Sequence, residues 1–492
     1  MQGNMSFEFQ FGKPQAAQLQ DDMPLHMLLL ADFSAHGSKS PLAERAFMKV
    51  DIDNLDQVIA RCAPRLELDL AGTKIHLAFR ELDDFLPDHL YRNVPLFGAL
   101  RAQLAKDMAP AAPAVAAASV PASAAADANP FQSLLGGSVG AKPVAANTSA
   151  ASNAGGSAFD NMIKQMVTPH LTPAISHTNA EQTALQDAAC GLLMRAILHH
   201  PEFQALEAAW RGVHFLVTQL ELDHPLQLML VDVSKAELAQ DLASHGENLA
   251  HAASFHLLAE RWQRAADAVP WSLLIGQYEF DATDEDVQTL AAIGAIAKHL
   301  NAPFIASGHS SIIGCPQVAE HPEPRLWPEL DSGQAARWQA LCQSSQAPWL
   351  GLTGPRLLMR LPYGANTDRV DGFPFEEMAN FPVHQQFLWG HGALICGVVL
   401  GAEFQEDGWD MQAAAAGSAA EVDDLPAFTW RNQGEAVLQP CAEACLLERA
   451  AEVFLGHGLM PLQSYKNRNA VRLLRLQSLG KTALAGRWQQ GG

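Results

Sequence analysis

Phe7, Phe9 and Phe11 alternate with polar residues, the pattern of a strand with one buried face. Leu25 to Ala31 is a more continuous apolar run and predicts a second strand. Asn54 followed by Gln57 reads as a capping box, with Leu55, Val58, Ile59 and Cys62 at helical spacing behind it. Leu66, Leu68 and Leu70 alternate, Gly72 interrupts, and Ile75, Leu77 and Phe79 alternate again, which predicts a β-hairpin. Val94, Phe97, Leu100 and Leu104 mark one face of a closing helix. Residues 1–108 therefore read as an α+β domain.

Both rhythms stop at residue 109. Residues 109–158 are Ala, Pro, Ser, Gly and Val with almost no charge, too poor in large apolar side chains to offset the entropy of ordering, so they are expected to be a disordered linker. Phe131 to Leu135 is a small apolar island within it, read as a chance fluctuation. From residue 159 the periodicity returns. Asn179 with Gln182 opens a helix bearing Leu185, Leu192, Leu193, Ala196 and Ile197. Pro201 starts another, with Phe203, Leu206, Trp210 and Val213 on one face. Leu226 to Val233 reads as a strand leading into a capping box at Ser234 and Glu237. Trp271 to Gly276 and Pro303 to Ala306 are further short apolar runs between helical patterns, and this alternation predicts an α/β layer with a mixed sheet flanked by helices. A hairpin is expected around Gly434, and a helix over Leu446 to Phe454 stopped by Gly456 and Gly458.

Composition narrows the function classes. Of 492 residues, 48% are hydrophobic and 17% charged, the proportions of a globular chain. A formal net charge of −21 repels phosphate backbones and anionic lipid, so neither nucleic acid nor a membrane surface is an expected partner. The seven cysteines are dispersed, without a C-x-x-C pair, as expected of reduced thiols in the cytosol. The longest apolar stretch, Gly392 to Gly401, is half of the ~20 residues that span a bilayer. With Asp21 and Asp22 ahead of the first apolar run, the expectation is a cytoplasmic chain without a leader.

No catalytic constellation stands out. His199-His200 beside Pro201 lacks a carboxylate at ligand spacing and fits a helix end better than a metal site. Asp281, Asp284, Glu285 and Asp286 lack the glycine and closing Glu of a calcium loop and read as a solvated helix cap. Ser307-Gly308-His309-Ser310 lacks a nucleophile elbow, and Cys441 and Cys445, one helical turn apart, read as packing. No phosphate-binding loop is present, so no cofactor is expected.

Two stretches resemble two proteins of one machine. Phe47 to Asp56 (Phe-Met-Lys-Val-Asp-Ile-Asp-Asn-Leu-Asp), Ala63 to Leu66 and Phe79 to Pro87 are similar to the small sheath subunit of type VI secretion systems. His199 to Gly212, Leu274 to Phe280, Ala302 to Ser307, Leu357 to Gly364, Phe387 to Gly390, Asp407 to Trp409, Gly458 to Asn467 and Gln477 to Leu479 resemble, in order, the large sheath subunit. The resemblance implies a non-enzymatic contractile-sheath component in which residues 1–108 dock intramolecularly on residues 159–492. It makes Asp51, Asp53, Asn54, Phe85, Trp210, Arg211, Arg356, Arg360, Tyr363, Trp389, Trp409 and Tyr465 candidates for structural or interface roles, with Trp210 and Arg211 closing a helix against the core and Arg356, Arg360 and Tyr363 fixing a strand-to-loop turn.

The resemblance also implies departures. The family's two subunits are separate chains, whereas here a linker joins them and replaces much of the large subunit's N-terminal region. The similarity ends near Leu479, so the family's C-terminal lobe is expected to be missing, and Ala413 to Ala420 replaces a Gly-rich segment with a nearly featureless one. Either a fused sheath protomer or a cap or adaptor follows, with sheath subunits, and baseplate or inner-tube proteins, as expected partners. A non-polymerising accessory protein of the same system is the alternative, and a hydrolase the third.

Overall fold

A computed structural model describes residues 7–9, 23–35, 40–70, 72–107, 179–261, 269–378 and 382–489. The segment 109–158, expected to be a linker, lies outside the described residues, as does Phe11. The strands in chain order are β1 (Leu25–Ala31), β2 (Met48–Val50), β3 (Arg65–Leu70), β4 (Thr73–Ala78), β5 (Leu226–Asp232), β6 (Leu273–Phe280), β7 (Phe304–Gly308) and β8 (Leu350–Gly354). They continue with β9 (Leu357–Leu358), β10 (Trp389–Gly390), β11 (Ala420–Val422), β12 (Phe428–Asn432), β13 (Glu435–Gln439), β14 (Leu459–Ser464) and β15 (Val471–Leu473).

Nine of these strands form one mixed sheet in the order β2-β5-β1-β6-β7-β8-β14-β15-β11. The pairings from β5 through β14 are parallel, while β2 on β5, β15 on β14 and β11 on β15 are antiparallel. Residues from both sides of the 109–158 segment share this sheet. β1 lies between β5 and β6, with Leu25 to Ala31 in register with Leu226 to Asp232 on one side and Met27 to Leu30 with Leu273 to Gly276 on the other.

All seven residues of β1 are buried, because a parallel strand covered on both faces must be apolar throughout. Its pleat divides them between two cores. Leu25, Met27, Leu29 and Ala31 face a core shared with the helices Pro201–Gln219 and Ala393–Asp407. Leu28 and Leu30 face one shared with Lys235–His245 and Asp284–Leu300. Truncating one such Leu would cost about 2–5 kcal/mol. The predicted hairpin is β3–β4, with Leu66, Leu68 and Leu70 buried and the residues between them exposed. It packs on the first core, where Phe85 stacks on Phe79 with centroids 4.1 Å apart and meets Phe203 edge-on at 5.8 Å.

Four local expectations are corrected. Phe7 and Phe9 pack against the second core from an irregular segment, not a strand. The Asn54 side chain does not cap its helix; it turns back to accept the Asp51 N–H at 3.1 Å. The Thr283 hydroxyl caps the Asp284–Leu300 helix by accepting the Asp286 N–H, and Asp284 and Glu285 are exposed in its first turn as expected, but Asp286 is buried rather than solvated. Ala413 to Ala420 is not featureless, since it contains most of a short helix, Gln412–Ala416, and enters β11. No helix among the described residues is long and apolar enough to cross a membrane.

Candidate functional site

The helix Pro201–Gln219 lies against the sheet, and its Trp-Arg-Gly motif gives three neighbouring residues three tasks. These residues stand in mid-helix. Trp210 is fully buried, packs tilted against the Phe33 ring with centroids 4.9 Å apart and donates its indole N–H to the Phe33 carbonyl at 3.1 Å. That bond ties the helix to the end of β1. Gly212 permits close approach, since a Cβ there would meet Gln277 Oε1 of β6 at 2.5 Å. Gln277 Nε2 in turn donates to the Ala209 carbonyl at 3.0 Å.

Arg211 enters a buried ionic frame. Its Nε donates to Glu207 Oε1 at 2.7 Å, one helical turn back, and Nη2 donates to the Tyr363 hydroxyl at 2.9 Å. Arg360, just beyond β9, reaches the same Glu207 at 2.8 Å and forks onto Glu377 at 2.7 and 3.0 Å. Glu377 also accepts the Tyr363 backbone N–H at 2.8 Å, while the Arg360 guanidinium lies 4.3 Å from the centre of the Tyr363 ring. Burial by itself would raise the Glu377 carboxyl, but the Arg360 charge and these hydrogen bonds override it and hold the pKa at about 2. The same carboxylates keep Arg360 charged against its own desolvation, and burial pushes the Tyr363 hydroxyl up to about 12. His199 Nε2 stands 3.6 Å from Glu377, beyond hydrogen-bond range.

A second clamp fixes the same loop from its other side. The Arg356 side chain pairs with Glu443 Oε1 at 2.6 Å, and the Arg356 N–H donates to Oε2 at 3.0 Å. His384 Nε2 approaches the same carboxylate at 3.0 Å. Burial opposes ionisation of Glu443, yet His384 and Arg356 bring its pKa down to about 2. Trp389 is half-buried, stacks on His384 at 4.8 Å and donates to the His384 carbonyl at 2.8 Å. Between them, the two clamps fasten the segment from Arg356 to Trp389 to a helix on one side and to the Glu443 loop on the other.

The remaining candidates stand apart from this frame. Asp51, Asp53 and Asn54 form the turn after β2, where Asp51 Oδ1 accepts the N–H groups of Asp53 at 3.1 Å and Asn54 at 3.0 Å. Phe85 belongs to the aromatic group under the hairpin. Trp409 donates to the Met23 carbonyl at 2.7 Å and so anchors the chain just ahead of β1. Tyr465 is half-buried, and its hydroxyl bonds Glu421. His200 caps the Pro201–Gln219 helix by accepting the Glu202 N–H at 3.4 Å, and His309 caps a short turn with Nδ1 2.8 Å from Ser311 Oγ. Cys441 is buried, its thiol directed to the Leu425 carbonyl.

Glu207 and Glu377 complete the frame and were not singled out in the sequence. Glu207 carried a usable signal, standing four residues before Arg211 on one helix. Glu377 carried none, because it reaches Arg360 across an irregular loop.

These features define a class before they define a family: an α/β module in which buried ion pairs fasten long loops to a mixed sheet. The family model for the EvpB (VipB) tail sheath N-terminal domain matches residues 182–480, and that for type VI secretion system VipA matches residues 5–110. The chain belongs to this tail sheath family. It is similar to the type VI secretion system sheath protein TssC1 of Pseudomonas aeruginosa, 33% identical over 303 residues. That match covers 61% of this chain and 61% of the relative, so the chain spans less than two thirds of the relative's length.

Proposed function

We propose that this chain is a structural, non-enzymatic component of a type VI secretion contractile machine, acting in the cytoplasm. In this reading a small-subunit-like part, residues 1–108, and a large-subunit-like part, residues 159–492, form one fused unit, joined by 109–158. The insertion of β1 between β5 and β6 carries it. Backbone hydrogen bonds on both sides of β1 join the VipA-like and tail-sheath-like parts into a single sheet, so neither completes its fold alone.

The unit binds other sheath subunits, and baseplate or inner-tube proteins are further partners in the same reading. Such a unit serves either as a fused sheath protomer or as a cap or adaptor at a sheath end. Electron microscopy of the purified chain, alone and mixed with sheath subunits, tests this. Short oligomers or monomers that decorate sheath ends support the cap. Abundant regular tubes from the isolated chain sink it in favour of a fused protomer, and failure to associate with sheath at all favours a non-polymerising accessory protein.

A further inference from the structure

The carboxyl ends of β5, β1 and β6 open into a cleft of about 620 Å3. It continues into a cavity of about 150 Å3 at the ends of β7 and β8, the two sharing Glu279, Arg356 and Gln385. β5 pairs with one edge of β1 and the next strand, β6, with the other, so the cleft lies where the winding of a parallel sheet reverses. Open α/β sheets place their ligand crevices at such points.

The chemistry of the lining selects the ligand. Asp32, Glu202 and Glu279 outnumber the two cations, Lys235 and Arg356, and both cations are engaged. Lys235 pairs with Asp286 at 2.6 Å and Arg356 with Glu443 at 2.6 Å. Among the described residues the half-buried Glu279 carboxylate accepts no hydrogen bond. Buried polar atoms of the lining also lack partners: Gln277 Oε1 and His391 Nδ1 in the larger cleft, and Gln317 Nε2 in the smaller. Gln277 is itself only 6% exposed. Burial, with Arg356 nearby, brings the His391 pKa down to about 4, so it adds no charge near neutral pH.

Two ligand classes fail. Among the described residues the acidic and imidazole groups that converge closely enough for a metal are Glu81, Asp84 and His89, which do not line the cleft. An anion such as phosphate would meet cations already neutralised by carboxylates. An organic cation on an apolar stem remains, and Phe387 and Trp389 supply an aromatic wall for such a stem. The volume exceeds that of one side chain and falls in the usual ~300–1,000 Å3 range of ligand clefts.

We propose that this cleft is a docking groove for a basic peptide segment of a partner protein, which seats an arginine or lysine against Glu279 with its stem along Phe387 and Trp389. The groove does not depend on whether the chain forms, caps or merely accompanies a sheath. The full chain is titrated calorimetrically with acetyl-Leu-Arg-Leu-amide, with its uncharged citrulline isostere, and with the glutamate counterpart. The arginine peptide is expected to bind at least about tenfold more tightly than the citrulline peptide, the scale of one hydrogen bond to a charged group. Glu279→Gln removes that preference, and Ala205→Trp, which fills the mouth of the cleft, abolishes binding of both. Thermal melting of each variant separates lost docking from lost folding, and either variant alone suffices if the other fails to fold. Equal affinities for the arginine and citrulline peptides, no binding by any of the three, or preference for the glutamate peptide overturns the proposal.

Discussion

Two arginines in this molecule have the same chemical company and opposite surroundings. Arg360 has Tyr363 under its guanidinium and two carboxylates, Glu207 and Glu377, around it. Arg468 has Tyr465 under its guanidinium and two carboxylates, Glu421 and Asp423. The first set is sealed, with side chains 7%, 0% and 1% exposed. The second is open, at 47%, 40% and 60%. Desolvation makes the difference. In the sealed set no water can replace a lost partner, so each charge depends on the others; in the open set water and salt substitute freely. A buried pair is thus costly to break without adding much net stability, and what Arg360 secures is the position of its loop.

The comparison can be broken most directly at Arg360. Arg360→Ala leaves Glu207 sharing only Arg211 and Glu377 without its guanidinium, and should destabilise by about 3–5 kcal/mol in urea unfolding. A loss comparable to that of Arg468→Ala would end the argument. Arg360→Lys, which keeps charge but not the fork, should fall between wild type and Ala.

Acid sharpens it next. Glu377 and Glu443 both have folded pKa values lowered to about 2 from 4.5. A carboxyl depressed by folding contributes stability above its unfolded pKa and loses it as pH falls through the folded value. The melting temperature should therefore decline through the window from about pH 4.5 to 2. Glu377→Gln should start from a lower melting temperature and show a shallower decline, and an unchanged slope would show that Glu377 is not the titrating group.

Arg356 is an intermediate case, its side chain 36% exposed while Glu443 is 13% exposed. After discounting for solvent screening, Arg356→Ala should cost about 1 kcal/mol, measured in the same urea series. The smallest effect belongs to Arg468→Ala, which should leave the melting temperature unchanged at physiological salt. A clear drop there would mean that exposure does not govern these sites.

Much of the fold was legible because local pattern and final environment agreed. The hairpin β3–β4 alternates because one face is buried, and its sequence alternates accordingly. The Ser234–Glu237 capping box formed as its spacing requires, since both partners belong to one helical turn. Asn54 failed the same rule because Asp51, three residues back, competed for its side chain and backbone. Of the ionic frame, Arg211, Arg360 and Tyr363 were marked through family resemblance, whereas Glu377 was not, as no periodicity governs a loop.

Spacing marked most of the elements, although it made a strand of the irregular segment at Phe7 and Phe9, and the continuous apolar run at Leu25 to Ala31 already read as a strand. It could not say which neighbours would bury that strand. The folded chain alone fixes that β1 pairs with β5 and β6, about 200 and about 250 residues away, and that the carboxylates of a helix and a loop converge on Arg360. Periodicity records how a segment meets its surroundings, whereas partner choice depends on shape and charge complementarity between surfaces that exist only once the chain has folded.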